Sequence, residues 1–599
     1  MLVLILNLLL ILIQTGSLDS PVNPKETYVR INQVGYLPGE NKVAIVFSHK
    51  PIREKFLLVS NSDNSIVATL KPSSSKSKGW GTFEYYYEID FSEINIQGSY
   101  FIQGRKTKCK SSSFNISSKS YQHQTENLLG FMRQQRCGYN PFLDIVCHKK
   151  DGKTMFGPMP DSTFVDVSGG WHDAGDQLKY LITASYATVH MLLAFELYPN
   201  KFYDEVNDLG QAFSNNIPDV LDEAKWGLDW IHKLHPTPSQ LFHQVADDRD
   251  HIGWKMPNND PSDYSWGPNS YRVAYFATGE PQGLKEFKSE ATGIANLAGR
   301  SAAAMAMASR IWKYDLNDPG FSIKCLDASQ SLYKMGKEKE GFQQGNSYGA
   351  PYRYTEETWA DDMELGAAEL YKSTGEKTYL EDAKNYARMA NTVSWMNLDS
   401  AAHYQYYPFI NLGHYVLYDL VDKDFQDTLA AYYRNGINYT LEKAKQNPYG
   451  IGIPFIWCSN NLLTSLITQI ILYEKMTNDK QYHNYLIEQR DWLFGRNPWG
   501  TSMFTGIPAN GEYPVDVHTS IWALQKVEIP GGLVDGPVFS SIYNSLKGLT
   551  LFNPDEFAEF QNNYVVYHDD IGDYSTNEPT MDGTAGSIIM MAHWAPTIK

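Results

Sequence analysis

The sequence predicts a mainly α-helical protein headed by a small β-sandwich. Three observations carry this reading. From about Thr27 to Ser118, short β-rich runs alternate with breaks rich in Gly, Pro and Asn. From about Tyr121 the texture changes to long segments with apolar residues at helical spacing. The 599 residues are 42% hydrophobic, enough to bury a large core.

The elements follow in chain order. Residues 1–13 are almost wholly apolar and lead into Thr15-Gly16-Ser17. The run is too short for a comfortable membrane span and reads as a signal peptide over residues 1–18 of a secreted protein. A polar spacer follows, then β-rich runs at 43–47, 55–59, 83–89 and 98–102. These predict an antiparallel, immunoglobulin-like sandwich over residues 26–118. Helices are expected at 125–135, 176–197, 220–234, 291–314, 363–373, 379–391, 425–445, 462–477, 482–494 and 583–594. Pro218 is an early helical residue of the third. The long loops between them, rich in Gly, Pro and aromatics, place the working surface at one loop-bearing end of a domain spanning 120–599.

Composition narrows the partners. A net charge of -17 argues against nucleic acid and against anionic membranes, and suits a soluble protein acting on a neutral polymer. Aromatics make up 14% of residues, including 40 Tyr and 14 Trp. Such rings pack cores and also provide flat apolar platforms for sugars. Asn115-Ile116-Ser117 and Asn438-Tyr439-Thr440 are N-glycosylation acceptors. The five cysteines are too few and too scattered for a disulfide scaffold.

The chain is organised around Ser168-Gly169-Gly170-Trp171-His172-Asp173-Ala174-Gly175-Asp176. Two carboxylates three residues apart can share one face of a turn, and the surrounding glycines permit close approach of a ligand. Paired acids that share a water or a proton serve hydrolysis; an Asp-rich turn capping a helix would look similar. A second acidic stretch, Asp573-Tyr574-Ser575-Thr576-Asn577-Glu578, lies near the C-terminus.

Together these stretches resemble family 9 glycoside hydrolases. Phe494-Gly495-Arg496-Asn497-Pro498, the segment from Thr505-Gly506 to His518, and Gly531-Gly532-Leu533-Val534-Asp535-Gly536-Pro537 add to the resemblance, in colinear order. The leader Tyr28-Val29-Arg30-Ile31-Asn32-Gln33-Val34-Gly35-Tyr36 is similar to the immunoglobulin-like module that precedes some catalytic domains of this family. The resemblance implies an (α/α)6 barrel with its cleft at one end and an inverting mechanism. Asp176 would be the general base, Asp173 would help hold the attacking water, and Glu578 would be the general acid, with its pKa raised so that it stays protonated.

Trp171, Trp457, Tyr574 and His518 are the expected substrate-binding residues, with Trp254 and Trp266 as further ring candidates. The family's usual His-His-Arg becomes Val517-His518-Thr519-Ser520 here, so that Ser520 replaces a cation. Cys137, Cys147, His148 and His172 match a structural zinc set in family members that carry the immunoglobulin-like module, and two Cys with two His suit tetrahedral zinc. A Cys137–Cys147 disulfide is the alternative. Glu357, Asp361 and Asp362, in the oxygen-rich stretch that begins at Glu356, are the calcium candidates, with a solvated acidic loop as the alternative. Asp569, Asp570 and Asp573 would tune Glu578 upward by like-charge repulsion. No organic cofactor is expected.

The expected activity is a secreted endo-β-1,4-glucanase acting on cellulose or a related β-glucan. The rivals are an exo-acting cellodextrinase or exo-β-glucosaminidase of the same family, a non-enzymatic glycan-binding protein, and a zinc hydrolase using the Cys/His cluster. The sequence leaves open the exact polymer, endo versus exo action and the oligomeric state.

Overall fold

The computed structural model describes residues 27–75, 79–391 and 409–598. The expected signal peptide lies outside the described residues. Eight strands come first: β1 (Thr27–Arg30), β2 (Val43–Ser48), β3 (Phe56–Ser60), β4 (Ile66–Leu70), β5 (Ser73–Ser74), β6 (Tyr85–Asp90), β7 (Gly98–Gly104) and β8 (Phe114–Ile116). They form two four-stranded sheets, ordered β1-β2-β6-β5 and β4-β3-β7-β8. Strand β2 explains how the sandwich attaches to the rest. Its unbroken apolar run is buried on both faces. Ala44 and Val46 point into the sandwich core with Phe56, Leu58 and Ile102. Ile45 and Phe47 alternate with them and join Tyr28, Trp80 and Phe83 in the large core shared with the helices. The junction is also ionic: Arg490 reaches Glu40 at 2.9 and 3.0 Å, and Asn32 Nδ2 donates to Asp491 Oδ1 at 2.8 Å.

The helices are α1 (Gln124–Gln134), α2 (Leu181–Leu197), α3 (Asp219–Leu234), α4 (Ala295–Tyr314), α5 (Pro319–Glu338), α6 (Ala360–Thr374), α7 (Lys377–Asn391), α8 (Phe409–Tyr418), α9 (Lys423–Ala444), α10 (Ser459–Thr477), α11 (His483–Leu493), α12 (Ser520–Gln525), α13 (Ser540–Tyr543), α14 (Met581–Gly586) and α15 (Ile588–Trp594). Their packing closes on itself. Helix α2 packs on α4, α4 on α6, α6 on α8 and α8 on α10; α10 meets α14 and α15, and both return to α2. Helices α3, α5, α7, α9 and α11 back this ring, and α1 lies against α14 and α15. Sequence explains the inner positions. Helix α2 is buried nearly all round, as an apolar helix without a polar face must be. The alanines of α4 and the facing Gly299 and Gly366 let α4 and α6 approach backbone to backbone.

The structure departs from expectation in three places. Helix α2 starts at Leu181 rather than near residue 176, because Asp176 Oδ1 accepts the Leu178 N–H at 3.0 Å and holds the preceding residues in a turn. Helices α5 and α8 and the short α12 and α13 were not anticipated. For α5 the signal was present: Asp318 accepts the Phe321 N–H at 3.0 Å as N-cap, with Pro319 at the first helical position. The loops also build a four-stranded sheet, ordered β11-β14-β13-β12, from β11 (Asp151–Met155), β12 (Lys179–Tyr180), β13 (Phe242–Val245) and β14 (Arg272–Phe276). A short pair, β9 (Tyr139–Asn140) and β10 (Ile145–Val146), precedes it. Strands β15 (Leu533–Val534), β16 (Val538–Phe539), β17 (Val565–Val566) and β18 (Pro579–Thr580) pair as β15 with β18 and β16 with β17. The Asp173/Asp176 loop hangs between β11 and β12, and Glu578 immediately precedes β18. Among the described residues no helix is long and apolar enough to cross a membrane.

Candidate active site

Two loop ends bring Asp173, Asp176 and Glu578 together. The Gly175 N–H donates to Glu578 Oε1 at 2.9 Å across 403 residues of chain. Any side chain at Gly175 would strike the His518 carbonyl and Glu578 Oε1, so glycine is required there by contact. Gly170 is needed for a second reason: its φ is +71°, and a Cβ would meet the Trp230 ring. The loop is pinned from behind, where Trp230 Nε1 donates to the Val167 carbonyl and Trp226 Nε1 to the Gly170 carbonyl, both at 2.9 Å.

The two aspartates have different surroundings. Asp173 is buried; Thr183 Oγ1 donates to it at 2.7 Å and the Tyr354 hydroxyl donates to its other oxygen. Burial first, then the neighbouring Asp176 and Asp582, pushes its carboxyl well above the usual range. Burial acts to raise Asp176 too, but His251, the Leu178 N–H and Tyr352 together hold that carboxyl below its ordinary value. His251 Nε2 lies 3.5 Å from Asp176 Oδ2, and the Tyr352 hydroxyl donates to the same oxygen at 3.1 Å. Burial would lower the His251 pKa; the Asp176 charge instead lifts it to about 9. Glu578 is driven well above the carboxylate range by burial, then by the charges of Asp535 and Asp176. The site thus holds one readily ionised carboxylate and two carboxyls that retain protons.

Aromatic rings form a wall beside these acids. The Trp254 ring meets His518 at 4.6 Å, His518 meets Tyr574 at 6.0 Å, and Tyr574 stacks on Trp457 at 6.0 Å with planes 17° apart. His518 is oriented by the Ile571 carbonyl, 2.6 Å from Nδ1. Trp171 does not belong to this wall, contrary to expectation. It is 1% exposed, its indole N–H donates to Glu223 Oε1 at 2.7 Å, and its ring packs on Gly227. Trp266 instead lies under Lys153 Nζ. Ser520 starts α12 and its Oγ accepts the Lys255 N–H at 3.3 Å.

The far side of the same loop carries the Cys/His group. Cys137, Cys147, His148 and His172 each present one ligand atom, all within 4.8 Å of one another. The nearest pairs are His172 Nε2 to His148 Nδ1 at 3.2 Å, Cys137 Sγ to His148 Nδ1 at 3.6 Å, and Cys147 Sγ to His172 Nε2 at 4.0 Å. Tetrahedral zinc with N and S ligands needs separations of about 3.3–3.8 Å. Two Cys and two His suit such an ion and lie close to those separations, one pair as far as 4.0 Å, and both cysteines are free of disulfides. The other ring nitrogen of His148 lies 3.3 Å from Asp260 Oδ2, the outer partner that a ligating histidine requires.

The calcium candidates do not assemble in the same way. Glu357 is exposed whereas Asp361 and Asp362 are buried. Arg300 Nε bonds Asp362 and Arg300 Nη2 bonds Glu356, both at 2.7 Å, so a guanidinium already supplies the positive charge. Asp569, Asp570 and Asp573 are likewise committed: they accept from the Val515 N–H, the Phe552 N–H and Ser575, respectively. The acids that lift Glu578 are Asp535 and Asp176 instead. His251, Tyr352, Tyr354 and Asp535 were not singled out from sequence. Asp535 lies within the Gly531–Pro537 motif without a role assigned to it, and His251, Tyr352 and Tyr354 come in from loops outside the motifs.

The model described as Glycosyl hydrolase family 9 matches residues 121–591, and that of the Cellulase N-terminal ig-like domain matches residues 25–108. Endoglucanase D of Acetivibrio thermocellus is 25% identical over 536 residues, covering 86% of this chain and 79% of its own. A crystal structure of a metagenome-derived glycoside hydrolase family 9 endoglucanase superposes with a TM-score of 0.74 at 24% identity, covering 95% of this chain and 99% of that one. The Zn-binding triple mutant of the family 9 endoglucanase J30 also gives 0.74, at 23% identity, covering 94% and 100%. With a family match running through the catalytic loop and Glu578 alike, the chain belongs to glycosyl hydrolase family 9.

Proposed function

We propose that this glycoside hydrolase is a secreted, inverting endo-β-1,4-glucanase acting on cellulose or a related β-glucan. The observation that carries the reading is the meeting of two distant loops, where the Gly175 N–H of the Asp173/Asp176 loop donates to Glu578 and places an acid pair opposite a third carboxyl whose burial pushes it upward. Hydrolysis needs one ionised carboxylate and one acid that keeps its proton, and inversion is what the family likeness supports. Asp176 takes a proton from the attacking water while Asp173 helps to hold that water. Glu578 gives its proton to the leaving glycosidic oxygen. Trp457, Tyr574, His518 and Trp254 supply the stacking wall for the glucan. The endoglucanases among the relatives support the substrate class. The closed ring of α2, α4, α6, α8, α10 and α14/α15 supports an (α/α)6 barrel over 120–599 behind a sandwich over 26–118; the apolar run of residues 1–13 supports a signal peptide over 1–18. Cys137, Cys147, His148 and His172 would hold a structural zinc. With four protein ligands it has no open position for chemistry, and it ties the catalytic loop down through His172.

The test is the product profile on carboxymethyl cellulose, xyloglucan, mixed-linkage glucan and chito-oligosaccharides, with the product anomer read by NMR. Inverted products from a β-1,4-glucan are expected. Retention of configuration would overturn the mechanism, and release of only short products from chain ends would overturn the endo mode.

A further inference from the structure

Strands β15 and β18 pair Leu533 with Thr580 and Val534 with Pro579. The next pair in that antiparallel register is Asp535 with Glu578, and the Asp535 N–H donates to the Glu578 carbonyl at 2.9 Å. Directly opposed residues on one face of a ladder have Cβ atoms about 4.5–5.5 Å apart. A carboxyl therefore stands cross-strand from the general acid, where two like charges would repel. Asp535 is 2% exposed. Its Oδ1 accepts the thiol of Cys458 at 3.2 Å, presented from the residue before α10.

We propose that Asp535 is a positioning residue for the reaction: its carboxyl, anchored by the Cys458 thiol, stands cross-strand from Glu578 so that the two cannot both ionise and the pair keeps a proton at the general acid. The inference depends on Glu578 being the acid, as proposed above. Each carboxyl accepts one hydrogen bond that favours its charged form, Asp535 from the Cys458 thiol and Glu578 from the Gly175 N–H, and burial and neighbouring acids push both carboxyls upward. The other charged groups around the pair are Asp582 of α14, Asp573 before it, Asp173 and Asp176 of the catalytic loop, and His251. His251 is the only cation among them, and it lies beside Asp176. A charge on Asp535 disfavours the ionised form of Glu578, so that Glu578 keeps its proton until the leaving oxygen takes it. When Glu578 is reprotonated from solvent, the same repulsion draws the proton back.

The test is the pH dependence of turnover on carboxymethyl cellulose. Asp535→Asn keeps the shape and the ladder but removes the charge. The alkaline limb of its kcat profile should move down by about one pH unit, tenfold in proton affinity, with KM unchanged. Cys458→Ala should move the limb the same way by less, because Asp535 then keeps its own proton more tightly. Asp535→Glu should restore the wild-type limb. An Asp535→Asn enzyme of wild-type melting temperature whose limb does not move, or whose rate falls equally at every pH, overturns the proposal. If Asp535→Asn does not fold, an unmoved limb in Cys458→Ala overturns it. Failure here is separable from failure of the catalytic reading: an active Glu578→Gln would overturn that reading, whereas an inactive Glu578→Gln with an unmoved Asp535→Asn limb overturns only this one.

Discussion

Two buried acidic clusters in this protein have the same raw material and different fates. Glu356, Asp361 and Asp362 surround Arg300, which meets Asp362 and Glu356 at 2.7 Å each. Asp173, Asp176, Asp535 and Glu578 surround a cleft whose nearest cation, His251, is partly exposed and reaches only Asp176. The first cluster sets one guanidinium against three carboxyls; Asp361 is left unpaired with its pKa raised to about 7, and the cluster is sealed in the core. The second also holds protons, but beside aromatic rings and a partly exposed histidine, where a held proton can serve as an acid. Counting acids in a sequence therefore does not locate catalysis; access to the held proton does.

The largest expected effect lies in the second cluster. Glu578→Gln should lower turnover by about 10²–10⁴-fold. Because a raised folded-state carboxyl pKa costs stability once pH exceeds the unfolded value, the same variant should be at least as heat-stable as wild type at neutral pH. Activity assays beside melting curves check both, and a fully active variant would erase the contrast between the clusters.

In the first cluster the sign reverses. Arg300→Met leaves Glu356 and Asp362 without their cation and should cost about 3–5 kcal/mol in denaturant unfolding. Millimolar calcium should leave the wild-type melting temperature where it is; a clear rise would mean that Arg300 has not displaced a metal.

Between these lies the Cys/His group. His172→Ala, or removal of metal by a chelator, should lower the melting temperature and reduce activity as the loop loosens, whereas Asp176→Ala should remove activity and leave the melt unchanged. Chelation that stops turnover without moving the melt would instead favour metal chemistry at the Cys/His group.

The smallest effect is at His251. Its charge holds Asp176 down, so His251→Ala should let the Asp176 pKa rise and shift the acid limb of the pH–rate profile to higher pH. An acid limb that stays in place would show that Tyr352 and the Leu178 N–H suffice.

Local sequence determined much of this molecule. Period-two and helical patterns identified the sandwich and most of the helices, because burial on one face or stripe leaves its period in the chain. Gly175, Asp173 and Asp176 were legible as a pair of acids among glycines in one loop, whereas Glu578, 403 residues from Gly175, was reached only through the family resemblance. Cys137, Cys147, His148 and His172 were legible as a donor set for the same reason of chemistry. Trp171 was misread because a tryptophan beside a catalytic motif looks the same whether it faces sugar or Glu223. Helix α5 escaped because its apolar spacing is weak, although Asp318-Pro319 marked its start. What only the tertiary structure decided is charge compensation. Arg300 joins its acids from another helix, and Asp535 meets Glu578 through the register of β15 on β18. Electrostatic energy depends on distance in space, and chain separation does not report it.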